Sequence, residues 1–92
     1  MQVAKAGRMV NIVMKDGSTR PLIITNVFPN AQDHTHPMVN GHLLLDGPND
    51  RENNPLGAPL EAGEESPMTY WATSVSRDDK KTVGTWHWPE RS

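Results

Sequence analysis

"MVNIVMKDGSTRPLIITNVF", residues 9–28, decides how this chain folds. Val10, Ile12 and Met14 alternate with Met9, Asn11 and Val13. A period of two belongs to a strand, and the β-branched content favours strand over helix. Asp16-Gly17 separates this run from a second apolar run. Asp-Gly between two such runs is a strong hairpin signal, because the centre of a tight two-residue turn needs positive φ. Pro21 opens the second run. It has no N–H to give to a ladder, so it belongs at a strand start or an edge. The second strand proper then spans residues 22–28.

The flanking sequence continues the pattern. "PNAQDHTHP", residues 29–37, is a loop bracketed by Pro29 and Pro37. "MVNGHLLLDG", residues 38–47, reads as a third strand stopped by Asp46-Gly47. Residues 48–67 are rich in proline, glycine and acidic side chains, with only a weak Leu56/Leu60 pair. They read as a long loop or a locally disordered segment. "MTYWATSVSR", residues 68–77, resumes strand patterning, and "DDKK" is a polar turn. "TVGTWHWPE", residues 82–90, is the last strand, ended by Pro89. Residues 1–8 are a weakly patterned lead-in. Five short strands without a helix predict an all-β fold in one domain spanning residues 1–92. The economical form is a small antiparallel five-stranded barrel with one long acidic loop. A Src-homology-3-like barrel fits first, and an oligonucleotide-binding-like barrel is the alternative.

Composition narrows the function. Only 35% of the 92 residues are hydrophobic, so the core must be small. The net charge of −2 supplies no field for nucleic acid or an anionic membrane. Arg77, Lys80, Lys81 and Arg91 are near tryptophans in sequence, but the acidic run opposes a nucleic-acid surface. There is no cysteine, hence no disulfide and no thiolate ligand. No apolar run is long enough to span a membrane, and the N-terminal residues do not read as a signal peptide.

The tryptophans have two readings. Period two puts Trp86 and Trp88 on one face and Thr85 and His87 on the other. If the strands on either side of "DDKK" pair, Trp71 shares the face of Trp86 and Trp88. Core packing is then the first reading for all three, and an exposed aromatic platform is the second. His87, on the opposite face, would meet solvent or a partner.

The four histidines are His34, His36, His42 and His87. His34 and His36, at spacing two, could put both rings on one side and hold a metal, with Asp33 adding a carboxylate. Exposed loop histidines are the competing reading, and no zinc motif with characteristic spacing is present. No nucleophile motif, phosphate-binding glycine loop or dinucleotide fingerprint occurs. The glutamates of the long loop read as a solvated run. The expectation is a protein without catalytic residues or cofactor. Its candidate binding residues are His34, His36, His87 and the loop from Asn49 to Pro67.

"MVNIVMKDGSTRPLIITNVF", "VNGHLLLDGPND" and "YWATSVSRDDKKTVGTWHWPE" together resemble a group of small proteins encoded by tailed bacteriophages and prophages. The order of parts is the same, down to the terminal Thr-Trp-His-Trp-Pro-Glu of residues 85–90. The resemblance implies a phage origin and carries over no activity and no site residue. The expected role is a phage accessory protein acting through a protein partner in the host cytoplasm or the virion. A virion structural or decoration protein, and a barrel binding a small ligand, nucleotide or nucleic acid, are the two alternatives.

Overall fold

The computed structural model describes residues 3–30, 35–57, 60–65 and 67–89. The fold is all-β. Strands β1 (Met9–Val13), β2 (Thr19–Phe28), β3 (Met38–Leu44), β4 (Thr69–Val75) and β5 (Trp86–His87) form one antiparallel sheet in the order β4-β3-β2-β1-β5. A short 3-10 turn, Gly47–Asp50, is the only helical element among the described residues.

The β1–β2 hairpin forms where the sequence places it, with Val13 opposite Thr19. Its turn differs in type. Gly17 donates its N–H to Met14 O at 3.0 Å, and Met14 N donates to Ser18 O at 2.7 Å. Gly17 has φ 86°, while Asp16 is not in the positive-φ region. This is a three-residue loop with a left-handed glycine closing it. Asp16 accepts the Ser18 N–H at 2.9 Å instead of adopting the strained conformation itself.

Two irregularities meet on β3 and bend the sheet. The β2–β3 register shifts between Ile24 and Asn26, leaving Thr25 outside the pairing. The β3–β4 register shifts between Val39 and Gly41. There Ser74 takes φ 55° and donates its N–H to Asn40 Oδ1 at 2.8 Å. Such bulges increase local twist and curl. Gly41 is required at the bend, because a Cβ there would sit 2.2 Å from Ile23 O.

The curl brings the two ends of the sheet together without a closing ladder. β5 pairs with β1, not with β4. The chain beyond β4 meets β5 at a single parallel bridge, Arg77 to Trp86. Trp86 N donates to Ser76 O at 2.9 Å, and Asp78 N donates to Trp86 O at 3.0 Å. The expected pairing across "DDKK" is therefore corrected. Alternation fixes which face a side chain takes, but not which strand is its neighbour.

The core lies on the concave side of this sheet. It comprises Val10, Ile12 and Met14 of the first hairpin arm, Leu22 and Ile24 of β2, and Val39 and Leu43 of β3. Ala72 and Val75 of β4 and Trp86 of β5 complete it. Trp86 is fully buried, and its Nε1 donates to Pro37 O at 3.2 Å. Trp88 packs against the cluster, edge-on to Trp86 with ring centroids 5.6 Å apart. The core reading therefore describes Trp86 and, in part, Trp88.

Trp71 is different: it is 49% exposed on the outer face. The core assignment made for it from the alternation is overturned. The bulge at Ser74 changes the parity of β4, so Ala72 and Val75 both point inward although they are three residues apart. Trp71 and Trp86 therefore lie on opposite faces of the sheet, although Ala72 and Val75 of the same strand share the core with Trp86.

Candidate functional site

The outer face carries a cross-strand row. Met9 pairs with Ile23, Ile23 with His42, and His42 with Trp71. Met9 and Trp71 are each 49% exposed, His42 is exposed and Ile23 is partly covered. His42 and Trp71 meet edge to face, with centroids 5.2 Å apart. Cross-strand partners lie close enough to form one continuous surface. Met68, 74% exposed, immediately precedes β4 at the same end of the sheet.

β4 is also the edge of the sheet, and among the described residues it ladders only with β3. Its sequence, TYWATSV, contains no charge and no proline. Natural edge strands are usually protected by lysine, proline or a covering element. Among the described residues the protection is the bulge at Ser74, which limits the regular run to the first part of the strand, and the loop at Leu56 and Gly57, which meets Tyr70.

The sequence-selected histidines do not converge. His34 lies outside the described residues. His36 is partly exposed, with Nδ1 2.7 Å from Thr35 Oγ1 and Nε2 3.9 Å from Asp79 Oδ2. Asp79 is held by the Arg77 fork at 3.0 Å through both oxygens, and this pairing keeps its carboxyl below the usual carboxylate range. Among the described residues no group of three or more histidine or acidic side chains could hold a metal ion.

His87 was expected to face solvent and is instead 5% exposed. It lies opposite Asn11 on β1, in a cleft of about 340 Å³ lined by Asn11, Thr19, Lys81, His87 and Pro89. Its Nδ1 is buried without a hydrogen-bond partner. Burial, and then the Lys81 ammonium, push its pKa below 6.5, against the opposing pull of Asp79. The ring is therefore neutral at physiological pH.

The first part of the long loop is pinned to the hairpin. Asp50, 1% exposed, accepts two bonds from the Arg20 guanidinium, Nε to Oδ2 at 2.7 Å and Nη2 to Oδ1 at 2.9 Å. Asp46 N donates to Oδ2 at 2.6 Å, and Asn53 Nδ2 donates to Oδ1 at 3.0 Å. Asn53 in turn accepts Lys15 N at its backbone oxygen and Asp16 N at Oδ1. Tyr70 Oη donates to Leu56 O at 2.9 Å. The acidic run thus contains a structural clamp that sequence reading missed. Asp50 looks like its solvated acidic neighbours when only composition is read.

Asn11, Thr19 and Lys81 were also missed, since they converge only through the β1–β2–β5 register and the turn at residues 78–81. Among the described residues no helix is long and apolar enough to cross a membrane. No protein-family model, curated protein or solved structure matches the chain, so the site rests on its own geometry.

Proposed function

We propose that this chain is a non-catalytic binding module that takes an extended segment of a protein partner along its β4 edge. The bacteriophage accessory role implied by the sequence resemblance fits this reading. The observation that carries it is an uncharged edge strand bearing Trp71, continuous with the Met9–Ile23–His42–Trp71 row. Backbone groups of a free edge supply affinity for an added strand, and neighbouring side chains supply selectivity. An exposed tryptophan is a common anchor of such contacts.

The test compares tagged wild type with Trp71→Lys in infected cells, with bound proteins quantified by mass spectrometry. Trp71 is outside the core, so the variant should keep its fold, checked by the emission of buried Trp86. A phage or host protein enriched on wild type and lost from the variant is expected. Equal recovery on both, or enrichment on neither, would remove the basis for this reading.

A further inference from the structure

We infer, resting on the reading of β4 as the docking edge, that this edge selects an antiparallel segment of the pattern apolar–any–apolar–basic. The backbone of the segment bonds to Thr69 and Trp71, and its lysine or arginine meets Glu65.

The hydrogen-bond pattern identifies the open backbone groups. Leu44 pairs with Thr69, so Met68 lies opposite Leu45, and Leu45 N donates to Met68 O at 2.8 Å. In an antiparallel ladder, residues that exchange bonds with one neighbour alternate with residues that turn both groups the other way. Met68, Tyr70 and Ala72 therefore face β3, while Thr69 and Trp71 turn N–H and C=O outward. The far side of the sheet gives the same parity. Gly7 N donates to Ile24 O at 2.7 Å and Ile24 N donates to Arg8 O at 2.9 Å, so Ile24 faces β1 and Ile23 faces β3. Ile23 pairs with His42, which leaves Gly41 and Leu43 to face β4. Beyond Ala72 the register shifts, and Ser74 gives its N–H to Asn40 Oδ1. The regular open edge is therefore Thr69 and Trp71.

Opposite residues of an antiparallel pair put their side chains on one face. The partner residues across from Trp71 and Thr69 then lie on the outer face. Their neighbours there are Trp71 itself, His42 and Leu44. No carboxylate, lysine or arginine stands in the Met9–Ile23–His42–Trp71 row or at Leu44 and Thr69. A charged partner residue would lose water there and meet no counter-charge. A β-branched or aromatic residue would pack on the indole.

The antiparallel direction carries the partner chain from Trp71 towards Met68. There Arg51, Glu64, Glu65 and Met68 line one cleft, and Glu65 is exposed. The Arg51 guanidinium is held by the backbone oxygens of Glu61 and Glu64, and Glu64 Oε1 accepts Glu61 N at 2.9 Å. One guanidinium stands with two carboxylates, so negative charge is in excess. The partner residue after the second apolar one comes opposite Met68 and meets this charge. Lysine or arginine complements it.

The test selects a displayed library of random peptides on wild type, with counter-selection on Trp71→Lys. Peptides of the stated pattern are expected, and are then made with blocked ends and titrated by NMR. A methyl group on the backbone nitrogen of either apolar residue removes a donor aimed at β4 and should weaken binding by at least about tenfold. On the residue between them it should cost less than about threefold. Glu65→Gln should weaken binding by about two- to fivefold and abolish the preference for lysine over glutamate at the basic position. Finding no peptide that prefers wild type to Trp71→Lys removes the edge reading itself, and the inference with it. Trp71-dependent peptides of another pattern, tolerant of methylation at both apolar residues, or indifferent to Glu65→Gln leave the edge standing and overturn the inference. A dimer that sedimentation shows in wild type and not in Trp71→Lys assigns the edge to a second copy and also overturns it.

Discussion

Replacing Asp50 by asparagine tests the clamp with almost no change of shape. Each carboxylate oxygen accepts two bonds: Arg20 Nε and Asp46 N at Oδ2, and Arg20 Nη2 and Asn53 Nδ2 at Oδ1. An amide has one acceptor oxygen and one NH₂. Whichever way it is turned, two donors face donors. Losing one partner of a buried ion pair costs about 3–5 kcal/mol. Arg20 is 23% exposed at its side chain and can recover part of this in water. A loss of about 2–4 kcal/mol is therefore expected. The whole fold of 92 residues should hold roughly 5–14 kcal/mol at about 0.05–0.15 kcal/mol per residue. With a urea slope near 1 kcal/mol/M, the unfolding midpoint should fall by about 2 M or more.

The same contact has a pH signature. Burial alone raises the Asp50 pKa, but the Arg20, Asp46 and Asn53 bonds outweigh it and hold the value below 3.8. A carboxyl with a depressed folded pKa stabilises above its unfolded value, and this contribution is lost as pH falls through the folded value. Wild type and Asp50→Asn should therefore differ fully at neutral pH and converge below pH 3.8. Urea titrations followed by Trp86 emission measure both. A midpoint within about 0.3 M of wild type at neutral pH, or a gap unchanged in strong acid, would refute the clamp as the cause.

Three further outcomes follow from the core, the outer face and β5. Gly41→Ala should cost about 3 kcal/mol, because its Cβ would meet Leu22 Cδ2 and also the Ile23 backbone oxygen, which cannot move aside as a side chain can; a melting temperature unchanged within a few degrees would contradict the close approach. Acrylamide should quench a fraction of the native tryptophan emission, and Trp71→Phe should remove most of that fraction while Trp86→Phe leaves it. His87 is neutral when folded and takes its proton near pH 6.5 when unfolded, so stability should decline as pH drops below 6.5 towards its folded value. In His87→Gln this part of the decline should vanish, as read from urea midpoints at about pH 7.5 and 5.5.

Much of the architecture was readable because it is written in local pattern. Alternation and Asp16-Gly17 located the first hairpin, and Trp86 fell on the inward face with Ile12 as period two requires. What was not readable depended on distant partners. The turn at Asp16 closes through Gly17 and Ser18 in place of two positive-φ residues. Trp71 turns outward because Ser74 inserts an extra position, and no periodicity in TYWATSV marks it. Gly41 inside an apolar strand was the one available signal, since an interior glycine points to a bulge or a close backbone approach. His87 is buried at a position set by its pairing with Asn11 of β1, so its burial has no local signature. The cleft was legible only in its histidine, and Asp50 not at all.

The clamp at Asp50 also makes the molecule a natural carrier for added sequence. Tyr70 fixes the excursion at Leu56, and Leu45 N fixes its return by donating to Met68 O at 2.8 Å. Between these two posts, Ala62 and Gly63 are exposed at the tip of a turn closed by Glu64 N to Glu61 O. Chain added between them lengthens a loop whose ends are already held, and each doubling of loop length costs only about 0.6 kcal/mol. A foreign epitope could be displayed there while the hairpin and the bent sheet keep their geometry.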